Sequence, residues 1–506
     1  MKKIMTRLLS LVLLGAFIPS FVLAETWDLG KGDITVTATE TSQTVSQVNG
    51  ETKDDPDPVI TSSGKTENTV TINAETNATA NVTLENVNID TGTRGGAAIT
   101  TSGEGNVNIE LNGTNTVQSG NTHAGVEKKD NGTLTITDED KDGSLTATGG
   151  NYGAGIGGGY EGSGSNIAIE GGKVKAIGGT HGAGIGGGFG GSGSNIAIEG
   201  GKVEASSVGG GAGIGGGSLG SGSNITVSGG EVTAQGGVGG AGIGGGQGGS
   251  SSNITISDGK VTATGAGAGA GIGGGYEGSG KGITIEGGEV TAQGDAGGAG
   301  IGGGISGTGS DVTISGDAQV KVQGGTTGRD WHKGAAIGNG GTRTTDGNEV
   351  SPNTSDLTVE GFIQIYEPGK NINTDTPDKT IEGQKGDHSW NAGEVTTAET
   401  VPESKAAAYW VSDSEGQSIP YQAQQKDGVL TVTVQADIAS LRGTTGSLRQ
   451  LEAQGVAEIR FVTNGAQSAF TLSDLLTSGT GSFTLTHDGD KVTFTLESKD
   501  ISGILK

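Results

Sequence analysis

The sequence predicts an all-β chain: a parallel β-solenoid of 29-residue coils, followed by a small α+β module. Three observations carry this. The motif Gly-Ala-Gly-Ile-Gly-Gly-Gly recurs with its isoleucine at Ile156, Ile185, Ile214, Ile243, Ile272 and Ile301, always 29 residues apart, and a fixed period of that length marks a repeat architecture. Inside a unit the apolar residues alternate, Ile167 and Ile169 about Ala168 and Val174 and Ala176 about Lys175, which is strand spacing punctuated by glycine turns. Glycine supplies 105 of the 506 residues, a content that excludes helical repeats and that only strict periodicity separates from low complexity.

Each unit then holds three short strands, around Ala154–Ile156, Asn166–Glu170 and Lys173–Ile177. The few inward aliphatics of one coil cannot offset the backbone entropy of ordering it, glycine being the costliest residue to order. Stability must come from stacking, with coils ~4.8 Å apart. Equivalent positions bear this out as an expectation. Ten residues after each isoleucine stand Asn166, Asn195, Asn224, Asn253, Gly282 and Asp311, residue types that tolerate a left-handed turn; stacked asparagines form an amide ladder. Seventeen after it stand Lys173, Lys202, Glu231, Lys260 and Glu289, opposite charges on neighbouring coils from Lys202 onward.

The array has relatives on both flanks, Ile99 in GGAAI, Val126 in HAGV and Ile337 in GAAIGNGG. The interval from Ile301 to Ile337 is 36 residues, so a loop insertion is expected around Gly328 to Lys333. The solenoid is therefore placed at 96–341. Residues 25–95 keep strand pattern without the glycine unit and read as an N-terminal cap with irregular first coils, protecting the open edge. Residues 342–404 read as a polar extension with one apolar strand, Phe362–Tyr366. Residues 405–506 form the α+β module, with strands at Ala408–Val411, Val429–Val434, Glu458–Thr463, Ser482–Thr486 and Val492–Leu496, the last two a hairpin across Asp488-Gly489. Helices are expected at Ser447–Ala453 and Leu472–Leu476.

Residues 1–24 have the order of a secretory signal peptide: basic Lys2, Lys3 and Arg7, the apolar run Leu8 to Ile18, and a small-residue site ending at Ala24. The run is too short for a stable membrane span. A secreted chain is expected, surface-associated at most, with no LPxTG-like sorting signal before Lys506. No cysteine is present, so neither disulfides nor thiolate metal sites hold the fold. The formal net charge of −26 repels nucleic acid and anionic membranes and disfavours capture of anionic glycans by charge.

Few constellations carry chemistry. Gly153-Ala-Gly155-Ile-Gly-Gly158 matches a dinucleotide fingerprint, and Gly275 to Lys281 resembles a phosphate loop, but both are repeat turns with no following helix. Asp138, Asp140 and Asp142 before Gly143 could turn three carboxylates toward one Ca²⁺, although Gly149 stands where a calcium loop closes with glutamate; the alternative is an acidic turn. Tyr160, Phe189 and Tyr276 share the position four after the isoleucine, and such rings either stack on sugar faces or pack on glycine turns. Trp331 and His332 lie in the inserted loop, where solenoids carry binding residues. Catalysis finds little: five scattered histidines and no arginine between Arg94 and Arg329, where a β-helix lyase needs acidic ligands beside a base. Glu170 and Glu199 near Lys173 and Lys202 offer only the look of a charged face, and the single row Thr233, Thr262, Thr291 is thin support for ice binding.

The unit GAGIGGGYEGSGSNIAIEGGKVKAIGG resembles the glycine-rich repeats of secreted and surface proteins of Gram-positive anaerobes. The upstream stretch NTVTINAETNATANVTLENVNID is similar to carbohydrate-binding-domain β-helix proteins, a branch with pectate-lyase-like folds. The resemblance covers about residues 25–341 and implies a right-handed parallel β-helix with non-catalytic binding of an extracellular glycan or a host or bacterial surface. A ligandless extracellular scaffold, with residues 405–506 as the working part, and a polysaccharide lyase or hydrolase are the alternatives, because fold does not determine function.

Overall fold

In the computed structural model the described residues are 24–382 and 409–506, apart from 49, 51, 130, 327–331, 343–344, 347–356, 360 and short stretches after 413. They divide into two compact units, the first ending at Ile381. The expected signal peptide lies almost wholly outside them.

The first unit is a parallel β-solenoid of three sheets with twelve, thirteen and eleven strands among the described residues. One coil shows the construction. Ile185–Gly186 lies in the second sheet, Gly193–Ile198 in the first and Lys202–Ser207 in the third. Each strand pairs in parallel with its equivalent 29 residues on, as in Ile185↔Ile214, Ile196↔Ile225 and Val203↔Val232. Because side chains alternate across a strand, Ile185, Ile196, Ile198, Val203 and Ala205 all point inward, none more than 2% exposed. The expected three strands per coil are present; the first is shorter and shifted, Ile156–Gly157 in place of Ala154–Ile156.

The asparagine ladder forms as expected, and the alternating charges fall in register, Lys202 opposite Glu231, Glu231 opposite Lys260 and Lys260 opposite Glu289, with the first of these closing an ion pair. Asn195 Nδ2 donates to Asn166 Oδ1 at 2.9 Å, Asn224 to Asn195 at 3.0 Å and Asn253 to Asn224 at 3.1 Å. All four asparagines, together with Gly282 and Asp311, hold left-handed backbone with φ between 51° and 66°. Lys202 Nζ lies 3.4 Å from Glu231 and Lys175 Nζ 3.8 Å from Glu204, exposed pairs that contribute about 0–1 kcal/mol each. A second ladder was not legible beforehand: the hydroxyls of Ser163, Ser192, Ser221, Ser250 and Ser279 each accept the amide seven residues after the next coil's isoleucine, at 3.1–3.4 Å.

Residues 25–95 join the same sheets. Thr26–Asp28 pairs with Val59–Thr61 in the first, and Ile34–Ala38 with Val70–Ala74 in the second. The antiparallel strands Gln43–Gln47 and Lys53–Asp54 cover that second sheet's N-terminal edge. Asp55 is fully buried and accepts the Trp27 indole N–H at 2.8 Å and the Glu25 amide at 3.1 Å. At the other end Ile301 still pairs with Ile337 across the insertion. The stack also continues past 341, where a polar extension was expected. Phe362–Tyr366 pairs with Gln319–Gln323, and Lys379–Glu382 follows it in the third sheet.

The second unit is built mainly of strands. One sheet runs Tyr409–Ser412, Ile438–Thr444, Ser482–Asp488, Lys491–Leu496 and Lys499–Asp500; the other holds Tyr421–Lys426, Val429–Val434, Glu458–Val462 and Gln467–Thr471. The expected hairpin is present, with Asp488 opposite Lys491, and so is a helix at Leu472–Ser478; the helix expected at Ser447–Ala453 falls largely outside the described residues. Phe461, Phe470, Phe483 and Phe494 fill its core. His487 is buried there too, between Thr463 Oγ1 at 3.1 Å and Ser468 Oγ at 3.0 Å. Burial holds its pKa below the ordinary value, so the unfolded chain takes up a proton that the folded unit refuses. The unit's stability is therefore complete above about pH 6.5 and declines as pH falls through that value toward the depressed folded one. Hydrogen exchange in Glu458–Val462 at neutral and mildly acidic pH checks this: faster opening on acidification is expected, and His487→Gln should flatten the dependence.

Candidate functional site

The candidate site is built from the two turns that flank each short strand of the second sheet. The residue four after one coil's isoleucine donates its amide to the residue four before the preceding coil's isoleucine. Tyr160 N–H reaches Thr122 O at 2.7 Å, Phe189 N–H reaches Tyr152 O at 2.8 Å and Ser218 N–H reaches His181 O at 2.8 Å. This zipping sets two columns of side chains next to each other along the stack.

In the coils of Ile156 and Ile185 both columns carry rings. Tyr160 stacks on Phe189 with centroids 5.7 Å apart and planes at 14°, and Tyr152 stacks on His181 at 5.2 Å and 14°. The two stacks meet at right angles, Tyr152 against Tyr160 at 5.5 Å and 88° and His181 against Phe189 at 5.3 Å and 76°. Edge-to-face packing of this kind is favourable by about 0.5–1.5 kcal/mol per pair. The expected pair Tyr160 and Phe189 is thus brought together, packed on each other and on Tyr152 and His181. Tyr160 nevertheless remains 47% exposed, the only aromatic among the large exposed hydrophobics of the described residues. Tyr152 and His181 were missed from sequence, although their own 29-residue spacing could have revealed them.

One coil earlier the cluster is bordered by a buried carboxylate. Glu127 stands directly after Val126, where the repeats place Gly157 or Gly186. Its Oε2 takes His123 Nδ1 at 2.7 Å and the Ala124 amide at 3.1 Å, and its Oε1 takes Lys129 Nζ at 2.7 Å. These partners offset the cost of burying the charge.

The remaining candidates separate. Tyr276 occupies the Tyr160 column four coils on, half-buried, its Cβ close to the Gly239 turn. His332 Nδ1 meets Asp346 Oδ1 at 3.1 Å; Trp331 lies outside the described residues. Asp138, Asp140 and Asp142 are not gathered into one cluster. Asp138 Oδ1 turns into its own loop to accept the amides of Asp142 at 3.2 Å and Gly143 at 3.1 Å, while Asp140 and Asp142 are exposed. Among the described residues no group of three acidic or histidine side chains is placed to hold a metal. Glu170 instead lines a shallow groove of about 510 Å³ on the first sheet, with Asn81, Asn108, Glu110 and Thr137. Apart from Pro56 and Val82 its lining is amide, hydroxyl and carboxylate, without lysine, arginine or histidine.

Fold and site together define a β-solenoid protein whose coil turns carry an aromatic column. Residues 141–160, 167–189, 196–218, 225–247, 254–276 and 283–305 match the beta helix repeat family model, in keeping with the parallel pairing of these coils. No curated protein and no solved structure matches it.

Proposed function

We propose that this is a secreted, non-catalytic β-helix protein that binds carbohydrate at an extracellular surface through the ring cluster of Tyr152, Tyr160, His181 and Phe189. The half-exposed ring of Tyr160, fixed by stacking on Phe189, is the observation that supports this reading. A rigid aromatic face costs little entropy to present and suits the apolar face of a sugar. The four rings sit on consecutive coils, so a ligand meets a preorganised patch rather than a loop that must close. Screening the mature chain against a glycan panel tests it. At least one glycan should bind, and Tyr160→Ala should weaken that binding about tenfold, in line with loss of one ring contact. Absence of any binding, or binding untouched by Tyr160→Ala, would sink the reading. Retention of binding after removal of residues 405–506 is expected, because the cluster lies within the first unit.

A further inference from the structure

The turn that carries Tyr160 occurs twice. Gly-Gly-Tyr-Glu-Gly-Ser-Gly is found at 158–164 and again at 274–280, 116 residues apart, which is four coils of 29. The residue after the aromatic position is left-handed in all six coils: Glu161, Gly190, Leu219, Gly248, Glu277 and Ser306. Glutamate fills it in the two coils where tyrosine precedes it and in none of the others. At φ 57° and 58° a glutamate is strained where glycine is not, and the other coils show that the fold does not ask for it. Both glutamates are exposed. The negative charge of the adjacent Glu161 raises the pKa of the Tyr160 hydroxyl above the ordinary value, so the carboxylate lies near the rim of the ring.

A carboxylate beside an aromatic ring is the pairing that receives a cation, which gains from the ring quadrupole and from the opposite charge. A formal charge of −26 over the whole chain favours the same sign of ligand. Four coils at ~4.8 Å place the two turns roughly 19 Å apart along one column. We propose that Tyr160–Glu161 and Tyr276–Glu277 are two subsites for one linear polysaccharide bearing protonated amines, and that the four-coil span sets the ligand length that engages both. This rests on the glycan-binding reading above and names its substrate class.

Calorimetry of the mature chain with glucosamine oligomers of increasing length, at a pH where the amines are charged, tests it against the fully N-acetylated series. Affinity should rise about a hundredfold once the oligomer spans both turns. E161Q or E277Q alone should remove that step while leaving short oligomers bound at the intact subsite. The acetylated series should bind about tenfold more weakly at each length. A smooth length dependence, equal binding of the acetylated series, or a step that survives E161Q and E277Q overturns the inference. If Y160A weakens a neutral glycan but no amine preference or step is seen, only this inference fails. If no glycan binds, or Y160A changes nothing, the glycan-binding reading fails with it.

Discussion

Replacing Gly215 by alanine is expected to lower the unfolding free energy by about 4 kcal/mol, the range of the most damaging point mutations. Two causes add. Gly215 holds φ at +132°, backbone that L side chains rarely adopt, and an added Cβ would stand 2.0 Å from the carbonyl oxygen of Gly244. That carbonyl cannot withdraw, because it already accepts the Gly216 amide at 2.9 Å in the ladder between coils. The same collision recurs at Gly157, Gly186, Gly244 and Gly273, each 1.9–2.0 Å from the next coil's carbonyl. Gly64, with nothing within 4 Å, is the control, and alanine there should change stability by less than about 0.5 kcal/mol. Chemical denaturation of the two variants beside wild type decides the matter. A Gly215→Ala protein that unfolds at the wild-type midpoint would show that the coils are not in the register described.

Ile214→Ala should cost about 3–4 kcal/mol. Ile214 is fully buried and stacks between Ile185 and Ile243, so truncation leaves a cavity bounded by backbone that the ladders hold in place. Ile214→Val, which removes one methylene, should cost about 1 kcal/mol. Combining Ile214→Ala with Ile243→Ala should depart from additivity by more than about 0.5 kcal/mol, because the two cavities adjoin and the second truncation enlarges one void. Denaturant midpoints at unchanged m-value measure all three. Strict additivity would mean that the isoleucine column is not continuous.

How much could be read from the residues alone followed from how often they repeat. Asn166, Asn195, Asn224 and Asn253 disclosed register, turn geometry and ladder together, because a stack forces identical positions into contact. Asp55 shows the opposite case: in a non-repeating segment nothing in Asp54-Asp-Pro-Asp-Pro says that one carboxylate is buried against the Trp27 indole, since the partner lies 28 residues away. The continuation through Phe362–Tyr366 was hidden for a similar reason. Its pairing partner Gln319–Gln323 is separated from it by an insertion that breaks the period. Within the site, Tyr160 and Phe189 were legible as a shared column. Tyr152 and His181 share a column by the same 29-residue spacing, but that this column lies beside the Tyr160 column depends on how one coil's leading turn zips to the next coil's trailing turn, a hydrogen-bond pattern that period alone does not encode. In the C-terminal unit the strands Val429–Val434 and Lys491–Leu496 announce themselves by alternation, whereas Tyr421–Lys426, nearly all polar after its first residue, does not.

The parallel pairing of each strand with its counterpart 29 residues on makes the stack a ruler with one graduation per coil. Whatever is written at one turn is displayed at a distance from any other turn that depends only on the number of coils between them. Loss or gain of a whole coil, for example residues 216–244, rejoins like with like, since Gly215 and Gly244 occupy the same place in adjoining rungs. Such a change leaves every hydrogen-bonded neighbour in kind and moves the Tyr160 and Tyr276 turns closer or farther by a single graduation of ~4.8 Å. Reach, in this architecture, is a property that can be counted in coils and altered without redesigning any of them.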